Sequence, residues 1–257
     1  MTRIAIIAAM PGELKPLVQG WQHERREIPN AGAVHLWRHE KGEWVAACAG
    51  AGQQAATRAF AEAEKDGPLS AVFSIGWVGA LSAAYGPGRA YRVTGVIDSQ
   101  TGERFAVQER EVGLQTHPGD KNKDVARVGH PELWLVTSPI VADGAEKQRL
   151  ASAYNVALVD MEAAAVARLA AMRDIPFHCI KGVSDGFTET LPDFNRFISP
   201  HGQFLTSRLL FFVLPRPWYW PALVRMGENS KKASQAIRDL LLENLDASGV
   251  IENRNGN

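Results

Sequence analysis

Residues 156–186, VALVDMEAAAVARLAAMRDIPFHCIKGVSDG, decide the fold of this chain. A short apolar run precedes Glu162, and a second run at 177–180 precedes Asp185. The alanine-rich segment between them, 163–172, predicts a helix. Strand, helix and strand in this order predict a parallel crossover that brings both acids to one edge of the sheet. Because open α/β sheets bind ligands at that edge, the pair predicts a functional site.

Length, charge and cysteine content limit the class of protein. The 257 residues can form one large α/β domain with a sizeable core. Lys plus Arg and Asp plus Glu both number 28, so no overall field attracts nucleic acid, and we expect no nucleic-acid partner. Cys48 and Cys179 both lie in apolar runs and form neither a disulfide framework nor a zinc site. Such cysteines favour a reducing, cytoplasmic location.

The apolar start of the chain favours a buried strand. Residues 4–10 are apolar, but Glu13 and Lys15 interrupt the run too early for a signal peptide. No segment reaches the ~18 uncharged residues that a membrane-spanning helix needs. We therefore expect a cytoplasmic protein.

Two glycine turns follow predicted strands. Residues 50–55 fit the G-x-G-x-x-A dinucleotide pattern, but the next strand ends at Gly76 without an acid for the ribose. A turn that lines some other pocket is therefore favoured over a nicotinamide or flavin site. In the second turn, Trp77 either fills the core or forms the wall of a ligand pocket, and both readings stay open. The seven histidines show no metal-ligand spacing, so we expect no metal and no cofactor.

A third acid, Glu13, follows the first predicted strand by about one turn of helix. An acid in this position is commonly a partner for the helix dipole. Glu13 would nevertheless occupy the same sheet edge as Glu162 and Asp185. Three acids at three strand ends favour a catalytic role.

The C-terminal part is unusually aromatic. Residues 208–220 read RLLFFVLPRPWYW, and a place in the core or in a subunit contact is the favoured interpretation. The alternative is an interfacial patch that contacts lipid headgroups at a membrane surface or grips a hydrophobic substrate. We expect a catalytic domain over residues 1–225, a helical extension over 226–251 and a disordered tail over 252–257.

Three motifs resemble those of the purine nucleoside phosphorylase and nucleosidase superfamily. They are residues 6–10 followed by Glu13, residues 159–163 and residues 183–185, and the similarity in pattern runs from residue 3 to about 205. Within the superfamily, the chain most resembles the methylthioadenosine/S-adenosylhomocysteine nucleosidases. The resemblance implies a single-domain, three-layer α/β/α sandwich around a mixed, partly barrel-like sheet. It also implies a homodimer that cleaves the N-glycosidic bond of a small nucleoside without a cofactor.

The resemblance implies a role for each acid. Asp185 would protonate N7 of the purine with Ser184 positioning it, Glu162 and Met161 would hold the ribose, and Glu13 would activate water. Ribosyl cleavage passes through an oxocarbenium-like state, so the departing base must be neutralised and the sugar stabilised. Asp185 must then carry a proton, which burial and neighbouring carboxylates would favour. The remaining substrate-binding positions would be Gly76, Trp77, Val141, Ala142, Asp160 and Lys181.

Three positions depart from the family pattern. Val141, between Ile140 and Ala142, stands where the nucleosidases have a phenylalanine that stacks on adenine. Trp77 replaces a small polar residue, and Lys181 replaces an arginine. We expect weaker base stacking and an altered ribose wall. Such changes would suit a non-catalytic nucleoside-binding protein, whereas the three acids would not.

Two further alternatives concern the substrate and the nucleophile. The aromatic extension fits an enzyme whose nucleoside carries a large apolar 5′ group, as in the hopanoid-associated branch acting on adenosylhopane. Phosphorylases of the superfamily keep arginines around the turn at 11–13, where this chain offers a carboxylate that would repel phosphate. That predicts hydrolysis, while Arg58, Arg89 and Lys181 keep phosphorolysis open.

Overall fold

The computed structural model describes residues 3–107, 132–189 and 192–247. The strands are β1 (Ile4–Ala8), β2 (Gln22–Ile28), β3 (Gly32–Arg38), β4 (Trp44–Cys48), β5 (Ala71–Ala80), β6 (Ala90–Arg92), β7 (Gly95–Asp98), β8 (Arg104–Ala106), β9 (Trp134–Thr137), β10 (Leu158–Asp160) and β11 (Phe177–Asp185). The helices are α1 (Pro11–Leu14), α2 (Gln53–Glu64), α3 (Gly144–Tyr154), α4 (Ala163–Met172), α5 (Thr206–Val213) and α6 (Trp220–Ala247). Short 3₁₀ helices span Phe194–Phe197 and Pro217–Tyr219.

Strand β1 lies inside the first half of the sheet. All of its residues are buried, and it pairs in parallel with β4 on one edge and with β5 on the other. A strand that is covered on both faces needs apolar side chains at every position rather than at alternate ones. This explains the continuous apolar run at the start of the chain. Strands β3 and β2 extend the sheet beyond β4 by antiparallel pairing.

The long strand β5 joins the two halves of the sheet. One edge of β5 pairs with β1 over 71–74 and then with β10, which aligns Val159 with Gly79 in antiparallel register. The other edge pairs in parallel with β11 from Val72 to Gly79. On the β1 side, residues 75–78 fall between the two partners and pair with no described strand. The sheet is therefore open at this point, where a ligand can approach the backbone.

The predicted parallel crossover between the two motif strands is wrong. Strands β10 and β11 lie on opposite edges of β5 and run in opposite directions along it. Their carboxyl ends converge all the same, because Val159 and Asp185 both align with Gly79. The sequence between the two acids indicates strand, helix and strand, but β5, which lies far away in sequence, decides how the strands are arranged.

Helices cover both faces of the sheet. On one face, Ala5 of β1 packs in a cluster with Phe60 of α2 and Val166 of α4. On the other face, Ile6 belongs to a cluster that includes Ile237 of α6. The predicted three-layer α/β/α fold around a mixed sheet is thereby confirmed.

Helix α6 lies directly on β11. A Cβ atom at Gly182 would be 2.8 Å from the Cβ of Ala233, so glycine permits this close approach. The helix begins at Trp220, before the predicted start of the extension at residue 226. The predicted disordered tail at 252–257 lies outside the described residues. Within the described ranges, no helix has the length and apolarity that crossing a membrane requires.

Candidate active site

A cavity of about 680 Å³ opens where β5 changes partners. Small-molecule sites commonly enclose about 300–1,000 Å³, so one ligand of that class fits. Its walls come from strand ends, from α1 and α6, and from the loop at 138–143. Gly76 and Lys181, which were also predicted as site residues, do not line the cavity. The predicted site residues that line the cavity are Glu13, Trp77, Val141, Ala142, Asp160, Met161, Glu162, Ser184 and Asp185.

Glu13 is buried at the start of α1, directly after β1. Its Oε2 accepts hydrogen bonds from the backbone N–H groups of Ala9 and Met10, each at 2.8 Å. Its Oε1 accepts from the N–H of Trp77 at 2.7 Å. Burial raises the pKa of the Glu13 carboxyl, although the three N–H donors and Lys181 oppose the shift. The same carboxyl therefore caps α1, joins it to β5 and lines the cavity.

Gly76 makes room for Glu13. Its φ is +143°, and a Cβ atom there would lie 2.8 Å from Oε1 of Glu13. A residue with a side chain would be strained in this conformation and would collide with the carboxyl. Gly76 thus acts on the site from behind the wall.

The structure places Trp77 in the cavity wall and links it to α6. The indole Nε1 donates to the hydroxyl of Ser234 at 2.8 Å and to the carbonyl of Ser230 at 3.1 Å. Both serines lie on α6. The tryptophan that replaces a small polar residue therefore holds the C-terminal helix against β5, a role that the motif alone does not indicate.

Asp160 and Lys181 form a buried ion pair beneath the cavity. Nζ of Lys181 lies 2.9 Å from Oδ2 of Asp160, and both side chains are fully buried. Lys181 also donates to the hydroxyl of Ser74, while Asp160 accepts from the hydroxyl of Thr137 and the N–H of Ala163. Burial acts to lower the pKa of Lys181, but the carboxylates around it, Asp160 foremost, outweigh burial and raise that pKa. Lys181 therefore reaches a ligand through Asp160 rather than directly.

Glu162 connects the acid motif to the first glycine turn. Its Oε1 accepts from the N–H of Gly52 at 2.7 Å, and Ala51 lines the cavity, as predicted for a turn at a pocket. Burial, followed by the charge of Asp160, raises the pKa of Glu162 to about 8, against the opposing effect of Lys181. The folded structure therefore favours the protonated form of Glu162, which can both donate and accept hydrogen bonds.

Asp185 contacts a cation that sequence reasoning missed. Oδ2 of Asp185 forms an ion pair with Nζ of Lys147, which also donates to the carbonyl of Gly186 at 2.7 Å. The Ser184 hydroxyl donates to Oδ1 at 2.7 Å, and its positioning role stays a prediction. The charged group that the structure places against Asp185 is therefore an ammonium, not the neighbouring carboxylates that we expected.

Gly79 lets this pair form at the end of β5. A Cβ atom at Gly79 would lie 3.1 Å from Cε of Lys147 and 3.2 Å from Oδ2 of Asp185. One sequence signal for the lysine exists. Lys147 and Leu150 are the buried residues of α3 and are separated by three positions, so the lysine lies on the apolar face of the helix.

The loop that replaces the expected stacking phenylalanine is held by Asn195. Oδ1 of Asn195 accepts from the N–H of Val141 at 2.8 Å, and its Nδ2 donates to the carbonyl of Val141 at 3.0 Å. Val141 itself offers only an aliphatic side chain to the cavity. Phe194 and Phe204 bring aromatic rings to the same cavity, and no motif pointed to them.

The cavity continues between α5 and the beginning of α6. Leu209, Leu223 and Met226 line this part, which we call the apolar extension. These side chains offer no hydrogen-bonding groups apart from a thioether, so they suit an apolar part of a ligand. The sequence predicted an aromatic segment here, with contact to a hydrophobic substrate as one of the alternatives, but did not indicate which side chains would line the site.

The three cations that kept phosphate binding open do not line the cavity. Arg58 donates to the carbonyl of His201, Arg89 is exposed, and Lys181 is fully buried in its ion pair. Lys15 and Lys231 do line the cavity, and both are solvent exposed. Among the residues that the structure describes, no three His, Cys, Asp or Glu side chains form a group that could hold a metal ion.

The chain matches one family model, described as the phosphorylase superfamily, over residues 3–133 and 133–200. The matched residues include all three acid motifs. No curated protein sequence matches the chain.

Solved structures share the fold at low sequence identity. The 5′-methylthioadenosine/S-adenosylhomocysteine nucleosidase from Neisseria meningitidis, in complex with methylthio-immucillin-A, is 17% identical with a TM-score of 0.65, over 96% of this chain and 100% of that one. The Streptococcus pneumoniae nucleosidase, in complex with 8-aminoadenine, is 19% identical with a TM-score of 0.64, over 96% and 100%. Futalosine hydrolase of Helicobacter pylori is 14% identical with a TM-score of 0.63, over 95% and 97%.

Proposed function

The chain belongs to the phosphorylase superfamily, and from this premise we propose that it hydrolyses the N-glycosidic bond of an adenosine-type nucleoside and releases the purine. Methylthioadenosine and S-adenosylhomocysteine represent the proposed substrate class. The observation that carries the proposal is the meeting of Glu13, Glu162 and Asp185 around one cavity. These acids come from three separate strand ends, and hydrolysis of this bond needs three separate roles.

Asp185 is the proposed general acid. The purine gains negative charge as the bond to the sugar breaks, and a proton delivered to N7 neutralises it. Ser184 and Lys147 hold the two oxygens of the carboxyl, so its orientation toward the cavity is fixed. Lys147 also donates to the carbonyl of Gly186, which anchors its side chain beside the carboxyl.

Glu162 and Met161 are the proposed ribose contacts. The carboxyl of Glu162 would accept hydrogen bonds from the sugar hydroxyls. Positive charge that develops on the sugar favours the ionised form of Glu162, which its burial disfavours. The interaction would therefore be stronger in the transition state than in the ground state, as catalysis requires.

Glu13 is proposed to orient the attacking water and to accept its proton. Its burial and raised pKa suit a carboxylate that takes a proton in a closed site. A carboxylate in this position also repels phosphate. Arg58, Arg89 and Lys181 do not line the cavity. Of the cations that do, Lys147 is paired with Asp185, Arg238 is paired with Asp239, and Lys15 and Lys231 are exposed, so hydrolysis is favoured over phosphorolysis.

A second candidate is a nucleosidase whose substrate carries a large apolar 5′ group, as adenosylhopane does. The apolar extension formed by Leu209, Leu223 and Met226 favours it. The chemistry at the glycosidic bond would be the same. The two candidates differ only in what the far end of the sugar carries.

The test is an assay of free base with a matched series of substrates. We would incubate the protein with methylthioadenosine, S-adenosylhomocysteine and 5′-alkylthioadenosines of increasing chain length, with and without phosphate. Adenine released without phosphate is the expected result, and kcat/KM that rises with chain length would select the second candidate. Adenine released only with phosphate would identify a phosphorylase. Binding without release from any substrate would identify a non-catalytic protein.

A further inference from the structure

Large apolar side chains are exposed on one hairpin beside the cavity. The hairpin, residues 206–227, comprises α5, the turn after it and the beginning of α6, and we call it the aromatic hairpin. Elsewhere in the described part of the chain, only Ile140 and Met172 are large apolar residues of comparable exposure. In the hairpin, the exposed fractions are 54% for Leu210, 76% for Phe211, 53% for Leu214, 67% for Trp218, 48% for Trp220 and 61% for Val224.

Helix α5 is apolar on both of its faces. Its inner face includes Val213, which is buried, and Phe212, whose ring lies 5.3 Å from that of Phe197. Its outer face carries Phe211 and Leu214, three positions apart, and is open to solvent. Apart from Thr206, Ser207 and Arg208 in its first turn, the helix is apolar all round, and such a surface is normally covered. The outer face therefore indicates a partner.

The hairpin is a joined unit. Nε1 of Trp220 donates to the carbonyl of Val213 at 2.9 Å, which links the start of α6 to the end of α5. The guanidinium of Arg216 lies 4.0 Å from the centre of the Phe212 ring, and the ring of Tyr219 lies 6.2 Å from that ring. The exposed side chains are thus presented from a fixed base.

The charge of this segment is entirely positive. Within residues 206–227 the sequence contains Arg208, Arg216 and Arg225 but no Asp or Glu. Arg208 and Arg225 are exposed. A symmetric contact between two copies would place this positive segment against itself, which is unfavourable. Arginine together with exposed tryptophan and phenylalanine instead suits the headgroup region of an anionic membrane.

We propose that the aromatic hairpin docks this protein on the surface of an anionic lipid bilayer. Trp218 and Phe211 enter the boundary between headgroups and acyl chains, and Arg208 and Arg225 contact lipid phosphates. The docking does not depend on the proposed nucleosidase activity.

Docking would place the cavity next to the bilayer. Leu209 and Leu223, which line the apolar extension, are sequence neighbours of Leu210 and Val224 on the exposed surface. A nucleoside whose apolar 5′ group is embedded in the membrane would then enter the site without exposing that group to water. This consequence, unlike the docking, rests on the proposed function.

The experiment is co-sedimentation of the full chain with lipid vesicles. We would compare phosphatidylcholine vesicles with vesicles that also contain phosphatidylglycerol. The protein is expected to sediment with the anionic vesicles, to bind the neutral ones less, and to dissociate as salt is raised. Tryptophan fluorescence should shift to shorter wavelength on binding, because the indoles leave water.

Matched variants separate the hairpin from other surfaces. F211Q/W218Q should lose binding to both kinds of vesicle, and R208Q/R225Q should weaken binding to anionic vesicles by on the order of tenfold. Met172→Gln changes an equally exposed apolar residue outside the hairpin and should bind like the wild type. Circular dichroism and the melting temperature would show that each variant is folded.

Three results would overturn the docking. The first is that the wild-type protein does not sediment with any vesicle. The second is that F211Q/W218Q binds vesicles as the wild type does. The third is that the wild type binds no vesicle, while its molecular mass by light scattering is larger than that of F211Q/W218Q. The last would assign the hairpin to a contact between copies of the chain. If vesicles bind but no nucleoside is cleaved, the docking stands and the proposed function fails.

Discussion

The inner and the outer part of the cavity are built in opposite ways. In the inner part, the carboxyl groups of Glu13, Glu162 and Asp185 each accept a hydrogen bond from a backbone N–H or a hydroxyl group. The fully buried ion pair of Asp160 and Lys181 lies beneath them. In the outer part, the apolar extension is formed by helices whose other faces are exposed. A polar network therefore fixes the three carboxyl groups that are proposed to carry the reaction. The side chains of the apolar extension, which would contact the 5′ group of a ligand, can be changed without disturbing that network.

Substitution of Asp185 should break the inner part most severely. Asp185→Asn keeps the shape of the side chain but cannot supply the acidic proton. We expect kcat to fall by about a thousandfold while KM changes little. Kinetics of free-base release would measure both values. Asp239→Asn, on the exposed side of α6, is the control and should be unaffected; unchanged turnover in Asp185→Asn would remove it from the acid role.

Loss of the buried cation should destabilise the inner part as a whole. Lys181→Met leaves the carboxylate of Asp160 buried without its ion-pair partner, which costs about 3–5 kcal/mol of unfolding free energy. Urea unfolding would measure this loss. Lys41→Met, at an exposed lysine, should change stability by less than about 0.5 kcal/mol. Equal losses in the two variants would show that the ion pair contributes nothing specific.

Lys147 tests whether the proposed acid needs its ammonium neighbour. Lys147→Met should lower kcat by about tenfold to a hundredfold, because the Asp185 carboxyl loses the partner that orients it. The pH dependence of kcat should change as well, and Lys147→Arg should restore part of the activity. A purely structural role would instead lower the melting temperature and leave the pH profile unchanged.

Glu162 makes the stability of the inner part depend on pH. Its pKa is raised from an ordinary value of 4.5 to about 8 in the folded state. The stabilisation is therefore present below pH 4.5 and is lost as pH rises toward 8. Glu162→Gln, which can still accept from Gly52, should gain on the wild type by on the order of 3–4 kcal/mol as pH rises from 5 to 8. Urea unfolding at several pH values would measure the gain, and a difference that is constant with pH would contradict the shifted pKa.

Substitutions in the outer part should change kcat/KM only for substrates with a long 5′ group. Leu223→Gln introduces a polar group into the apolar extension, so kcat/KM for a long 5′-alkylthioadenosine should fall by about tenfold. The value for methylthioadenosine should change by less than about twofold. Val224→Gln is the matched control, since Val224 is exposed rather than part of the extension. A Leu223→Gln variant that loses activity on both substrates equally would show that the two parts are not separable.

The sequence predicted the inner part well because its acids follow strands within recognisable motifs. Glu13, Glu162 and Asp185 were located by local pattern, and they line one cavity although the parallel crossover expected to bring Glu162 and Asp185 together does not form. The pairing of β10 and β11 was predicted wrongly, because β5 arranges both strands and no local pattern reveals it. Lys147 was missed because a single lysine in a helix carries no motif.

The outer part was predicted less well in two respects. Leu209, Leu223 and Met226 belong to different helices, and only the tertiary fold brings them together. The helical extension was predicted from residue 226, whereas α6 begins at Trp220, within the aromatic segment. In the structure, Pro221 lies in the first turn of the helix, where its missing N–H is not needed.

Hydrolysis of the N-glycosidic bond is tested most directly by following the sugar in isotopically labelled water. The protein would be incubated with methylthioadenosine in water enriched in heavy oxygen, without phosphate, and the products analysed by mass spectrometry. If water attacks C1, the products are adenine and an equal amount of sugar that carries one labelled oxygen at C1. The Asp185→Asn variant should form almost none of either product. Absence of adenine from every nucleoside tested, or a sugar phosphate without label once phosphate is added, would contradict hydrolysis.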